Sequence, residues 1–430
     1  MRIAIVGGAG ALGSLYARLF KEAGFGVIIA DADVAKAQKV ASELGIELAG
    51  SNKEAAVRAD VLIISVPISE TVGVIRELLP HLRKECLLMD FTSVKTEAVR
   101  EMSKAACEEV VGCHPMHGPR IASLEGQMVV FTPIRKGERF ERIRAFFAEQ
   151  GASIVEATPE EHDRMVAVVQ ALTHFSYITT AATLKELGVN VKASRKFASP
   201  VYELTMDLVA RIMGQDPHLY ADIQMHNPFS KDVRATFVKQ AMRLRDIVER
   251  GDKAEFIRLM SEAAKNYGNL EEGMAKSDKA IRALYAELNA LRASIGKYVG
   301  LENIYSRAVH YGRLENVTAD TVEILEGKKR KTLKLANVRV LGDDELRAWK
   351  MKKATYRDYS FLFPSCEPEA VRAAGSGIDE DILKVDVIDT YPLKEGKSVT
   401  LRFHIFADAD AKKIGEKIAA RYTGLGAKLR

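Results

Sequence analysis

Residues 3–24 read IAIVGGAGALGSLYARLFKEAG, and few stretches restrict a fold so narrowly. A β-branched run stops at glycines spaced Gly8, Gly10 and Gly13, and an amphipathic helical pattern follows at once. At that spacing the first glycine allows a tight turn, the second lets a pyrophosphate approach the backbone, and the third packs helix on strand. The helix N-terminus, with Ala11 and Leu12 in its first turn, then faces the phosphates. The next apolar run, GVIIA (26–30), ends in Asp31, 18 residues after Gly13. An acid there bonds the ribose hydroxyls of an adenosine and repels a 2′-phosphate, which predicts NAD rather than NADP. A glycine-rich turn beside a surface aspartate would give the same letters; the complete strand–turn–helix–strand context favours the dinucleotide site.

The pattern continues as an α/β domain over 1–157. Further strands are expected at VLIISVP (61–67), LLMDFTS (87–93), EEVVGC (108–113), QMVVFTP (127–133) and SIVEA (153–157), with helical stretches between them. Apolar strands alternating with helices describe a mostly parallel sheet covered on both faces, a Rossmann-type domain. Val66 and Pro67, which close the third of these runs, are expected to line the nucleotide. From 158 to 300 the strand signals vanish. The segment TPEEHDRMVAVVQALTHFSYITTAATLKELG (158–188) opens with a cap-like Thr-Pro-Glu-Glu and exceeds the usual helix length. Helices this long need partners for their apolar faces, so an all-α domain forming a homodimer is expected. GLENIYSRAVHYGR (300–313) breaks the pattern, and residues 311–430 read as a third, α+β domain. It should hold a hairpin around the basic turn GKKRK (327–331), a capped helix at DDELRAWKMKK (343–353) and strands at YSFLFP, LKVDVIDTYP and SVTLRFHIF. Two helices complete it, one from Glu367 and one at DAKKIGEKIAARY (410–422).

With 430 residues, two or three domains are expected. A net charge of +5 is too mild to imply nucleic acid by itself. Cys86, Cys107, Cys113 and Cys366 lie far apart with no C-x-x-C, so neither a metal site nor a disulfide framework is indicated. The chain enters a strand at once, with no signal-peptide pattern, and holds no run of eighteen apolar residues; a cytoplasmic protein with no membrane partner is expected.

A dinucleotide enzyme needs a second half-site. CHPMHGPR (113–120) ends an apolar strand with imidazoles held between prolines, which pins the pose of His114. DFTSVKTE (90–97) ends the preceding strand with Ser93 and Lys95. On the long helix, Asp163, Ala167, Gln170 and His174 follow i, i+4, i+7, i+11 spacing and share one polar face. Arg211, in VARIMGQDPHLYADI (209–223), offers a guanidinium fork for a carboxylate, although a lone arginine more often snorkels or pairs at the surface.

The segments GGAGALG, ISVPISET, DFTSVK, HPMHGP, EEHDRMVAVVQALTHFSY and VARIMGQDPHLYADI come in the order of the prephenate dehydrogenase family, which residues 1–295 resemble. The resemblance implies a Rossmann domain plus a helical dimerisation domain and NAD-dependent oxidative decarboxylation of prephenate to 4-hydroxyphenylpyruvate. It further implies that His114 is the catalytic histidine on the ring hydroxyl and that Ser93 lies near that hydroxyl and the nicotinamide. Arg211 would bind a substrate carboxylate, Lys95, the lysine of the serine's motif, would bind substrate too, and Gln170 and His174 line the substrate pocket. His117, often Phe in the family, and Arg120, often acidic or small, depart from the commoner form. His117 is thus either a substrate contact or pH modulator, or a ring packed on the wall. Arogenate, with an amino group for the side-chain ketone, is the alternative substrate.

The last 75 residues or so resemble the ferredoxin-fold anticodon-binding domain of phenylalanyl-tRNA synthetase, on cues such as GKSVTLR and GAKLR. Between Lys328 and Arg357 stand eleven basic residues and three acidic ones. An RNA-binding module is therefore the second reading of this domain; a fold reused for stability or regulation is the first, since fold does not imply function.

Overall fold

The computed structural model describes every residue except Ala122, and Leu284 by its backbone alone. The chain divides into two compact units, Met1–Arg282 and Ala283–Arg430.

The first unit opens with eight strands in one sheet. They are β1 (Arg2–Val6), β2 (Gly26–Ala30), β3 (Glu47–Leu48), β4 (Val61–Ile64), β5 (Leu87–Asp90), β6 (Glu109–Pro115), β7 (Met128–Arg135) and β8 (Ser153–Glu156). Their spatial order is β3-β2-β1-β4-β5-β6-β7-β8. β1 to β6 run parallel, β7 is antiparallel to β6, and β8 is parallel to β7. Residues 61–64 and 87–90 are buried throughout, as strands covered on both faces must be. The covering helices are α1 (Ala11–Glu22), α2 (Val34–Leu44), α3 (Asn52–Arg58), α4 (Ile68–Leu78), α5 (Thr96–Met102) and α6 (Glu138–Glu149). One core gathers Ile3, Ile5, Tyr16, Phe20 and Phe147, the other Ala4, Ile28, Leu62 and Leu88, one on each face of the sheet. All strands expected from the sequence are present. The two-residue β3, with no β-branched run of its own, was not expected. The chain order reverses between β1 and β4, so the carboxyl ends of these strands form the crevice where doubly wound sheets bind ligands.

The rest of the unit is helical: α7 (Pro159–Val166), α8 (Thr173–Glu186), α9 (Val191–Ser194), α10 (Pro200–Met213), α11 (Pro217–His226), α12 (Ser230–Glu249), α13 (Lys253–Tyr267) and α14 (Leu270–Ala293). The division between units falls inside α14. α7 starts on a capping box, Thr158 with Glu161, as the sequence suggests. It reaches α8 through a π-helical turn, Ala167–Leu172, which the sequence does not announce. That wider turn lags the helix face, so the expected single row Asp163–Ala167–Gln170–His174 becomes three different contacts, described below. The Gln224 amide donates to the Ala171 carbonyl at 2.7 Å, satisfying a carbonyl of the irregular turn. Although no eighteen consecutive apolar residues occur, Pro159–Glu186 is long and apolar enough, at mean hydropathy 1.2, to cross a membrane by length and composition. Only 17% of its most apolar window is buried, while its first turn packs against α5 with His162 and Asp163 buried.

The second unit has two antiparallel sheets. β9 (Tyr298–Asn303), β10 (Val309–Val317), β11 (Thr321–Glu326), β12 (Lys329–Lys334) and β13 (Val338–Val340) form the first, in the order β12-β11-β10-β9-β13. The sheet thus starts ahead of the boundaries expected at 300 and 311, with β9 at Tyr298–Asn303 and β10 from Val309. The basic hairpin is tighter than expected, with Gly327 at φ 59° and Lys328 forming the turn and the other basic residues in β12. After α15 (Asp343–Lys352), the order β14 (Ala354–Phe363), α16 (Pro368–Ala374), β15 (Ile382–Leu393), β16 (Gly396–Phe406), α17 (Ala411–Gly424), β17 (Lys428–Leu429) builds the second sheet, ordered β15-β16-β14-β17. Alternate residues Phe361, Leu401, Phe403 and Ile405 point inward onto Ile414, Ile418 and Tyr422 of α17. Much of the basic surplus is paired: Arg330 with Glu315 at 2.8 Å, Lys331 with Glu326, Arg339 with Glu302 at 2.7 Å, and Lys350 with Asp381 at 2.8 Å.

Candidate active site

At the end of β1 the backbone turns through Gly7, at φ 79°, where a Cβ would overlap the Ser65 carbonyl. Gly7, outside the three-glycine spacing, is therefore the turn glycine; this corrects the role expected of Gly8. At Gly8 a Cβ would collide with Ile29 of β2, so its glycine is a packing requirement. The N–H groups of Gly7 and Gly8 both donate to the Ala30 carbonyl, at 2.9 and 3.1 Å. Gly13 sits where a Cβ would lie 2.9 Å from the Gly8 Cα, locking α1 against the loop. Gly10 caps α1 with no side-chain bond, which leaves the first-turn N–H groups, those of Ala11 and Leu12 among them, free for an anion. The residues fit a dinucleotide. Asp31 accepts the Ala9 N–H at 2.9 Å on one oxygen and the Asp33 N–H at 3.0 Å on the other, which ties it to the loop. Asp33 instead caps α2, accepting the Lys36 N–H at 3.0 Å. Val66 packs beside Gly7, and Pro67 caps α4.

At the end of β6, whose seven residues are all buried, stands His114 at 2% exposure. Its Nδ1 lies 2.9 Å from Nε2 of His162, and Nδ1 of His162 lies 2.7 Å from Oδ1 of Asp163. Asp163 also accepts two backbone N–H bonds, from Lys95 and Thr96, each 2.8 Å. Burial would raise the Asp163 carboxyl, but the bonds from His162, Thr96 and Lys95 outweigh it and hold the group below the usual carboxylate range. Nε2 of His114 lies 3.5 Å from the Gln170 amide nitrogen. Burial pushes His114 well below the ordinary imidazole value, and the charges of His162, Lys95 and His117 add to the shift.

Lys95 is fully buried. Its ammonium pairs with Asp90 and donates to the Cys113 carbonyl at 2.9 Å. This corrects the expected direct substrate contact: the charge points behind β6, where it props the residue preceding His114. Ser93 is half-buried on the turn between Asp90 and Lys95. Farther out, the His174 ring packs on Tyr220 with centroids 4.5 Å apart, and burial brings its pKa down to about 4. Arg211 is exposed near the end of α10, and its charge is felt at Tyr220. Among the described residues, buried Gln170 Oε1 and His174 Nδ1 have no hydrogen-bond partner. His117 spends both ring nitrogens internally: Nδ1 donates to the Gly118 carbonyl at 3.0 Å, and Nε2 meets the Tyr16 hydroxyl at 2.9 Å. Arg120, three residues on, is exposed.

Sequence reasoning missed His162. A histidine followed by an aspartate in a capped first turn was the available signal, but adjacent helix residues point to different faces. The two converge only because β5, β6 and α7 meet there.

Fold and site together define a nucleotide-dependent oxidoreductase of the doubly wound α/β class with a helical second domain. Residues 16–156 match "Prephenate dehydrogenase, nucleotide-binding domain" and residues 158–262 match "Prephenate dehydrogenase, dimerization domain". The chain belongs to the prephenate dehydrogenase family. It is 39% identical to the probable arogenate/prephenate dehydrogenase of Methanocaldococcus jannaschii, over 100% of this chain and 98% of that protein. It is 32% identical to the T-protein of Haemophilus influenzae, over 65% of this chain and 71% of that one. It is 30% identical to the 4-amino-4-deoxyprephenate dehydrogenase of Streptomyces pristinaespiralis, over 67% of this chain and 97% of that one. Among solved structures, the prephenate dehydrogenase of A. aeolicus in complex with hydroxyphenyl propionate and NAD+ has the same fold, with TM-score 0.52, 22% identity, and 62% of this chain and 97% of that one covered.

Proposed function

We propose that this chain catalyses the NAD-dependent oxidative decarboxylation of prephenate to 4-hydroxyphenylpyruvate in tyrosine biosynthesis. The observation that carries the reading is buried His114 at the carboxyl end of β6, its Nδ1 held by His162 and its Nε2 beside Gln170, in the same sheet as the glycine loop. Prephenate bears a hydroxyl on C4 of a cyclohexadiene and a carboxylate on C1. NAD, held by the A. aeolicus enzyme, supplies the acceptor for the hydride that leaves C4. His114 draws off the hydroxyl proton at Nε2 as C4 becomes a carbonyl, and returns it to the phenol oxygen when loss of CO2 aromatises the ring. A positioned base of this kind is worth roughly 10²–10⁴ in rate. Arg211 forks onto a substrate carboxylate. Gln170 and His174 turn their unpartnered atoms toward the substrate, and Ser93 lies by its hydroxyl. Lys95 acts from behind, by holding β6.

For the cofactor, the loop shaped by Gly8, Gly10 and Gly13 lets the pyrophosphate reach the N–H groups of Ala11 and Leu12, Asp31 holds the adenosine ribose, and Val66 and Pro67 flank it. A homodimer is supported by the match to a dimerization domain and by exposed Met165, Val168 and Val169. The βαββαβ order with strands β15-β16-β14-β17 supports a ferredoxin-like C-terminal domain. The ion pairing of Arg330, Lys331, Arg339 and Lys350 supports a structural or regulatory use of it over RNA binding. Steady-state kinetics on prephenate and arogenate, each with NAD and NADP, tests the proposal. Prephenate with NAD should give the highest kcat/KM; a preference for arogenate would move the assignment to the other substrate named for the M. jannaschii relative, and no turnover of either would overturn it.

A further inference from the structure

We propose that His162 is the positioning residue that fixes the tautomer of His114 and shares its transient charge with Asp163. The inference rests on His114 being the base, as read above. The geometry leaves little freedom. Asp163, holding two backbone N–H bonds as well, can only accept, so Nδ1 of His162 must carry the hydrogen in their 2.7 Å bond. Nε2 of His162 is then bare, and the 2.9 Å bond to His114 can exist only if Nδ1 of His114 is the donor. By elimination, Nε2 of His114 carries the lone pair, and Nε2 is the atom that meets the Gln170 amide nitrogen on the far side of the ring from His162. The opposite arrangement would set a bare His162 Nδ1 against a carboxylate.

The same chain explains how a histidine at 2% exposure can take a proton at all. As the substrate O–H bond breaks and the Nε2–H bond of His114 forms, the Nδ1–H of His114 can pass to Nε2 of His162. One N–H bond breaks and one forms, and the positive charge ends beside Asp163. The charged and titratable groups facing this pair are Asp90 at the end of β5, Lys95 on the turn into α5, His117 on the loop after β6, and Asp163 on α7. Burial and Lys95 oppose the charge on both rings, and His162 and His117 oppose it on His114; Asp163, by its hydrogen bond and its charge, and Asp90 favour it on His162 alone. The reaction returns the proton, so the relay has to hold the charge for one step only.

The test is nitrogen-15 NMR of the histidine rings in the intact protein, with the His114 signals assigned by their loss in His114→Asn, together with kinetics of His162→Gln and His162→Phe. In wild type His114 should be the Nδ1–H tautomer. Glutamine can accept from His114 and donate to Asp163, so it should keep that tautomer; phenylalanine cannot, and Nε2–H should become the major form. The Phe variant should lose kcat by about 10²-fold or more, as enzymes do when the base is left in the wrong tautomer. KM for prephenate should change less than threefold, and the Gln variant should recover at least tenfold of the loss. Finding His114 as Nε2–H in wild type overturns the inference without any mutant, whatever the folding of the Phe variant. A Gln variant no more active than Phe overturns it too. Full activity in His114→Asn would instead sink the assignment of the base, a result the tautomer measurement cannot imitate.

Discussion

At the end of β1 the groups that face the crevice are backbone N–H groups, and the side chains around them are absent because nothing larger than hydrogen fits at Gly8 or Gly13. At the end of β6 the facing groups are side chains: two imidazoles, an amide and a carboxylate gathered from three elements. The first site is shaped by exclusion and carries one acid, Asp31, that is itself tied to the loop backbone. The second is shaped by hydrogen bonds among buried titratable groups, so its properties depend on which atoms hold protons. Substitutions should therefore act differently at the two ends, on cofactor choice at one and on turnover at the other.

The largest effect belongs to His114. His114→Asn should cut kcat by roughly 10²–10⁴ and leave both KM values within a few-fold. In wild type the acid limb of kcat/KM should lie below the ordinary imidazole value of 6.5, because burial lowers His114 and the neutral form is the base. A His114→Asn enzyme within twofold of wild type would erase the contrast between the two ends. Next comes Asp31→Ser, which should shift the NAD to NADP ratio of kcat/KM by on the order of 10²-fold, since like charges in a confined site cost several kcal/mol. Asp33→Ser is the control: serine can also cap α2, so stability and cofactor preference should both stay unchanged. If Asp33 moved the preference and Asp31 did not, the adenosine would lie one turn farther along. Arg211→Ala sharpens the picture on the substrate side, with KM for prephenate rising about 10–100-fold, the worth of a hydrogen-bonded charge, and KM for NAD unchanged. Equal rises in both would mark Arg211 as structural.

The smallest effect is on stability. His174 has its pKa brought down to about 4, so the unfolded chain binds more protons than the native one between about pH 6.5 and 4. The stability associated with its neutral form is complete above the unfolded value and lost as pH falls through that window. Thermal melts from pH 7 to pH 4 should show a falling Tm, and His174→Phe should flatten the slope; an unchanged slope would assign the effect to the other buried histidines. The glycine loop, with no such group, should contribute nothing to it.

The two ends also differ in how far they could be read from the letters. The glycine spacing, the strands around it and Asp31 are local, and local sterics brought them out, with Gly7 and Gly8 exchanging roles because only the fold reveals that Ile29 stands over Gly8. His114 and Gln170 were legible through the prolines and the helix periodicity. His162 was not, because its meaning lies in a neighbour 48 residues away. Lys95 was misassigned for a related reason: a lysine on a site motif suggests a ligand contact, and nothing local reveals that Asp90 draws it inward. In the second unit the helices and the later strands were visible, whereas β9 and β10, rich in charged and small residues, were not.

The π-helical turn at Ala167–Leu172 has a bearing on how this chain can change in length. An ordinary α-helix advances about 100° per residue. Six residues in the wide turn cover about the rotation that five cover in regular winding, so deleting one would let the turn relax with α8 nearly in place. What would change is the residue set opposite His114, where Gln170 now stands. A deletion at any other point between Pro159 and Glu186 would rotate all that follows by about 100°, so a single gap in an alignment of distant sequences belongs within these six positions.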